Sequence, residues 1–109
     1  MLSSLFGSKS RANVLIFLAA RGYGYAREIA GFYDANLSPI QKQLDNLENN
    51  NILFSKLSGK TRLYGFNPRF PFLPELKALL ERAIGFLPED DRNRLLLIRK
   101  RPRRKGKPL

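Results

Sequence analysis

Leu37-Ser38-Pro39-Ile40-Gln41-Lys42-Gln43-Leu44-Asp45-Asn46-Leu47-Glu48-Asn49-Asn50-Asn51 is the segment from which the rest of the fold can be read. Ser38 stands where an N-cap belongs, Pro39 follows at the first helical position, and Gln41 lies three residues after the serine. That is a capping-box pattern with proline where its missing N–H costs nothing. Ile40, Leu44 and Leu47 then fall at i, i+4 and i+7, which predicts one narrow apolar stripe. Gln41, Lys42, Gln43, Asp45 and Asn46 are left on the outer faces. Asn49-Asn50-Asn51 ends the helix, because asparagine tolerates the left-handed backbone that a C-cap needs.

Downstream the period changes from about 3.6 to 2. Ile52–Leu57 and Thr61–Phe66 read as two strands, and Ser58-Gly59-Lys60 between them is a hairpin turn. Asn67-Pro68 closes the second strand. A helix is predicted at Pro74–Ile84 with Leu76, Leu79, Leu80 and Ala83 inward. Another is predicted at Glu89–Arg99, acidic at its start and basic at its end, as the helix dipole favours.

Upstream, Ser8 or Ser10 caps a helix running to about Arg21, with Val14, Leu15, Leu18 and Ala19 on one face. Gly22 and Gly24 end it. A short helix follows at Ala26–Tyr33, pointing Ile29 and Ala30 inward, and Asp34-Ala35-Asn36 is a turn. The run Ala12–Ala20 behind Lys9 and Arg11, in a stretch without acid from Met1 to Arg27, has some character of a secretory signal or presequence. A buried first helix is the preferred reading. No stretch approaches the roughly 20 apolar residues of a membrane span, and the cytoplasm, within it the nucleoid, is the expected compartment.

The composition narrows the chemistry. The 109 residues carry 20 Lys+Arg against 9 Asp+Glu, a net charge of +11, and neither His nor Cys. Without those two there is no ordinary zinc, haem or iron–sulfur site, no disulfide, and no Ser-His or Cys-His nucleophile pair. No cofactor and no metal are expected. Nor does a pair of catalytic carboxylates or a glycine-rich phosphate loop appear, so an enzyme is the least favoured class and no residue is assigned a catalytic role. The charge is uneven. Arg99, Lys100, Arg101, Arg103, Arg104, Lys105 and Lys107 fall within nine positions, and without them the body has 13 basic and 9 acidic residues. Pro102, Gly106 and Pro108 interrupt the run, so this basic tail is expected to be disordered when free. Such a charge points to a polyanion partner.

Helix, short helix, turn, capped helix and hairpin in about 60 residues is the order of a winged helix-turn-helix domain, a mainly α (α+β) fold with a two-stranded wing. Leu5-Phe6-Gly7-Ser8-Lys9-Ser10-Arg11 resembles the opening of small bacterial and archaeal winged-helix regulators of the ArsR/MarR type. Ala26-Arg27-Glu28-Ile29-Ala30 is similar to their second helix. The stretch from Leu37 to Glu48 is similar to their recognition helix, with Asn51 where those proteins usually place a helix-ending glycine. Asn67-Pro68 and Leu73-Pro74-Glu75-Leu76 resemble the segment after their wing. The domain is also similar to one that precedes some nucleotidyltransferases. The resemblance spans roughly residues 2–86 and departs from the metal-sensing members, whose Cys and His ligands are missing here.

The chain then divides into the domain at 1–86, a C-terminal helix at 87–98 and the basic tail at 99–109. Because such regulators dimerise through their terminal helices, 87–98 is read as a dimerisation element, the alternative being that it folds back on its own domain. It also implies a transcriptional regulator, in the main a repressor, that binds double-stranded DNA as a homodimer on a palindromic site. In such a domain the helix at 38–49 enters the major groove, presenting Ser38, Pro39, Gln41, Lys42 and Asp45. Gln can bond adenine in a bidentate manner and Lys can reach guanine or a phosphate. The wing at 52–67 contributes Lys56, Ser58, Lys60, Thr61 and Arg62 to the backbone. Lys9, Arg11 and Arg27 are further backbone candidates. In the tail, Lys105-Gly106-Lys107-Pro108 has the spacing of an AT-hook with both arginines replaced, and a non-specific phosphate-binding arm is the preferred reading. The alternatives are an RNA-binding winged-helix protein and a protein-interaction module, for example an antitoxin-like partner of a separate enzyme. Phe66, Phe70 and Phe72 are weighed as an effector pocket and read more readily as core.

Overall fold

A computed structural model describes residues 2–96. The expected tail at 99–109 and the end of the last expected helix lie outside the described residues. The described chain is α+β, with six helices and a three-stranded antiparallel sheet. The order is α1 (Leu2–Phe6), α2 (Lys9–Arg21), β1 (Tyr23–Tyr25), α3 (Ala26–Phe32), α4 (Leu37–Asn49), β2 (Leu53–Ser58), β3 (Thr61–Phe66) and α5 (Leu73–Gly85). A final helix, α6, covers 89–96.

The centre of the molecule is α2. Ser8 caps it, its hydroxyl accepting the Arg11 backbone N–H at 3.0 Å, and Gly22 ends it with φ 89°. Ala12, the run Val14–Leu18 and Ala20 are all buried, so this helix is enclosed on nearly every side rather than along one stripe. Around it pack Ile29 and Ala30 of α3, Ile40, Leu44 and Leu47 of α4, Leu53 of β2, Tyr64 of β3, Leu80 and Ile84 of α5, and Leu95 of α6.

Two helix ends are closed by residues other than glycine. After α3, Asp34 adopts φ 51°, and the N–H groups of Asp34 and Ala35 reach back to the carbonyls of Gly31 and Ala30. After α4, Asn51 adopts φ 64° while Asn51 and Ile52 reach back to Glu48 and Leu47. Both are Schellman closures that satisfy carbonyls a helix would otherwise leave bare. The expected role of Asn51 as a helix stop is met.

At the start of α4 the expectation needs correction. The helix begins at Leu37 with Asn36 as N-cap, so Ser38 is not the cap and no Ser38–Gln41 capping box forms. The turn through Asp34 delivers the chain into helical geometry two residues early. Pro39 remains tolerable because it still lies within the first turn, where backbone N–H groups lack helical acceptors.

The sheet also differs from the expected two-stranded hairpin. β2 and β3 do form that hairpin, in register from Leu53↔Phe66 to Ser58↔Thr61, around Gly59-Lys60 with Gly59 at φ 66°. A glycine first in a two-residue loop, with only that residue at positive φ, is the type II′ pattern. Tyr23-Gly24-Tyr25, expected to be only a glycine-marked helix end, adds a third strand on β3, giving the order β1-β3-β2. Gly24 faces the core, where a Cβ would come within 2.8 Å of the Phe17 ring.

The C-terminal helices turn fewer residues inward than their periodicity suggests. In α5 only Leu80 and Ile84 are buried, and Leu79 is 38% exposed. α6 folds back on its own body through Leu95, which is 1% exposed, whereas Leu96 is exposed. Arg21 secures this docking, donating from Nε to the Leu95 carbonyl at 2.9 Å, and Arg94 donates to the Phe32 carbonyl at 3.0 Å. The two guanidiniums lie 5.2 Å and 4.4 Å from the Phe32 ring centre, so the contact is cationic and aromatic at once. Among the described residues no helix is long and apolar enough to cross a membrane.

Candidate nucleic-acid interface

Burying Ile40, Leu44 and Leu47 against the core leaves the opposite side of α4 facing outward. That surface carries Leu37, Ser38, Gln41, Lys42, Asp45, Asn46 and Asn49. Pro39 is exposed beside it. A cleft of about 470 Å³ separates this helix from the hairpin and the start of α3. Arg27, Gln41, Asp45, Lys60, Thr61 and Arg62, all singled out from the sequence, line it together with Tyr25, Ala26, Leu37 and Tyr64. Three cations face one carboxylate there, so the cleft carries net positive charge.

The hairpin is fastened to α4 at two levels. Near the N-terminal half, Gln41 Nε2 donates to the Tyr64 hydroxyl at 3.0 Å and to Asp45 Oδ1 at 2.9 Å. Near the C-terminal end, the Ser55 hydroxyl donates to Glu48 Oε2 at 2.8 Å, and Arg62 Nη1 donates to Ser55 Oγ at 3.3 Å. A third tie reaches the hairpin tip from β1, where the Tyr25 hydroxyl donates to Ser58 Oγ at 3.2 Å. Tyr64 is 3% exposed, and burial pushes its phenol above the ordinary value, with the Gln41 bond opposing the shift. It therefore holds its proton at neutral pH.

Other expected residues lie apart from the cleft. Lys56 is exposed on β2, opposite Leu63. Lys9 borders a different groove, formed with Leu2, Ser3, Ala12, Ala83, Phe86 and Leu87. Arg11 is half-buried and committed to α4, donating to Gln43 Oε1 at 2.9 Å and to Asn46 Oδ1 at 2.8 Å. The expected tail contacts from Arg99 to Lys107 lie outside the described residues.

The sequence reading passed over Tyr25, Leu37, Glu48, Ser55 and Tyr64. Of these, Tyr64 carried a signal: on a strand that packs against the core, a buried tyrosine needs a partner for its hydroxyl. The aromatic trio divides. Phe66 packs against the core, while Phe70 and Phe72 meet edge to face at 6.0 Å with Phe72 largely exposed. No protein-family model matches the chain, and no curated protein matches it.

Proposed function

We propose that this chain is a winged helix-turn-helix protein that binds double-stranded DNA and regulates transcription, in the main as a repressor. The observation that carries the reading is the pairing of a polar, outward-facing α4 with a cationic hairpin across one cleft. The strand order β1-β3-β2, with α3 and α4 between β1 and the hairpin, supports the winged-helix assignment. At 13 residues, α4 is about 20 Å long and of a diameter that the major groove admits. Ser38, Lys42, Asp45 and Asn46 would then face base edges. Arg27, Lys60 and Arg62 would sit on phosphates, fixing position without reading sequence.

A second copy of the chain completes the proposal, since a two-fold pair would offer two such helices to a palindrome. Leu79 on α5, Phe86 just after it and Leu96 on α6 are exposed and supply apolar area for that contact. Leu96→Asp is expected to yield monomers on a sizing column. A dimer that persists would move the interface away from α6.

Footprinting on genomic fragments tests the main reading, using the full chain and a version ending at Ile98. Protection of a palindrome by both forms is expected, with the shorter form losing about 4–5 units of the slope of log K against log salt. Protection that vanishes with the tail, or a preference for structured RNA, would defeat it.

A further inference from the structure

The hydrogen bonds among Gln41, Asp45 and Tyr64 dictate what this part of α4 can still offer a partner. Both protons of the Gln41 amide are used, one on Asp45 Oδ1 and one on the Tyr64 oxygen. The Tyr64 hydroxyl in turn lies 3.5 Å from Asp45 Oδ1, as donor. The amide cannot be turned round, because its oxygen would then face a carboxylate that has no proton to give. What remains outward is Gln41 Oε1 and the second Asp45 oxygen, both acceptors. Asp45 is exposed and borders both the cleft and the outer face of α4.

That inventory conflicts with the sequence expectation that Gln41 reads adenine in a bidentate manner, which requires a free amide proton for N7. Guanine is worse suited, because O6 and N7 are both acceptors. A phosphate is repelled by the carboxylate outright. The groove partner that matches an acceptor-only surface is a base amino group. Of the two available, the amino group of adenine sits beside the N7 acceptor, whereas that of cytosine has no such neighbour on its own base.

Resting on the duplex-binding reading above, we infer that Asp45, held by Gln41 and Tyr64, is a specificity-determining residue that selects a cytosine amino group in each half-site. Gln41 and Tyr64 act as positioning residues. The lone acid among the cations of the cleft then acts by exclusion: any base that presents acceptors there meets a fixed negative charge.

The test is selection from a random duplex pool by the full chain, as wild type, Asp45→Ala and Tyr64→Phe. Asp45 is exposed on a helix and alanine favours helix, so the first variant should fold, as circular dichroism would verify. Wild type is expected to enrich a motif with one strongly preferred cytosine per half-site, other bases there weakening binding about tenfold. Asp45→Ala should keep the rest of the motif and lose that preference alone. Tyr64→Phe should weaken it and leave other positions unmoved, which a general loss of folding would not do. An unchanged cytosine preference in Asp45→Ala, or a preference for another base in the wild type, overturns the inference while leaving duplex binding intact. No enrichment of any duplex by the wild type overturns both.

Discussion

Arg11 on α2 donates from Nε to Oε1 of Gln43 on α4 at 2.9 Å, and the same guanidinium reaches Asn46 Oδ1 at 2.8 Å. One cation therefore braces the outward-facing helix against the central one. Its geometry is that of a strut, with a planar fork spanning two acceptors. Arg11→Met is expected to lower stability by about 1.5–3 kcal/mol in urea unfolding, the range of bonds made by a charged group. The salt dependence of duplex binding should stay the same. A slope reduced by about one unit would instead make Arg11 a phosphate contact.

Asn51 provides a test of the backbone itself. It sits at φ 64°, where an L residue other than Asn or Gly is strained. Asn51→Ala should cost about 1–2 kcal/mol. Asn51→Gly should change stability by only a few tenths of that, because relief at the turn is offset by a looser unfolded chain. Thermal melts of the two variants side by side decide the matter. Equal losses would mean that the side chain, and not the backbone conformation, is what the position requires.

Gly65 in the middle strand is covered by Tyr23 of its neighbour, whose ring would lie 2.7 Å from an added Cβ. Gly65→Ala is expected to destabilise by about 1–3 kcal/mol through overpacking. In a Tyr23→Ala background the same change should cost far less, and strand propensity alone could then favour alanine. The double-mutant cycle reads that coupling directly. Additive effects would show that the ring moves aside freely.

Burial raises the phenols of Tyr33 and Tyr64 above their ordinary value, with Arg21 and Arg94 opposing the shift at Tyr33. Below pH 10 both the folded and unfolded chains keep these protons, so neither tyrosine imposes a slope. Above about pH 10 the unfolded chain releases protons that the folded chain retains, and stability falls as pH rises. Urea midpoints measured from pH 8 to 11.5 should fall less steeply in Tyr33→Phe and in Tyr64→Phe than in the wild type. Parallel curves for all three would show that these phenols ionise alike in both states.

Much of the arrangement was legible because it rests on local physics. The stripe Ile40, Leu44, Leu47 is buried as its spacing requires, the hairpin turns at Gly59-Lys60, and Asn51 ends its helix. What was not legible depends on distant partners. Three residues are too few to display strand alternation, and the glycines of Gly22-Tyr23-Gly24 read as punctuation, so β1 emerges only through its pairing with Leu63, Tyr64 and Gly65. The N-cap of α4 lies two residues before the expected one because Ser38-Pro39 only mimics a cap, while the turn at Asp34 sets the entry. Gln41 was read as a free amide. Nothing in its own neighbourhood announces that Tyr64, 23 residues later, comes to occupy it.

The strand order has a consequence for what binding demands of the molecule. Because β1 pairs with β3, everything from Ala26 to Arg62 is a loop closed by the ladder at its base, and both walls of the cleft belong to that loop. The entropy of closing it is lost during folding, together with the freedom of the side chains tied across its two levels. A partner entering the cleft meets walls whose spacing is already set. Little of the interaction energy then goes into ordering the protein, and preorganisation of this kind strengthens binding without adding a single contact.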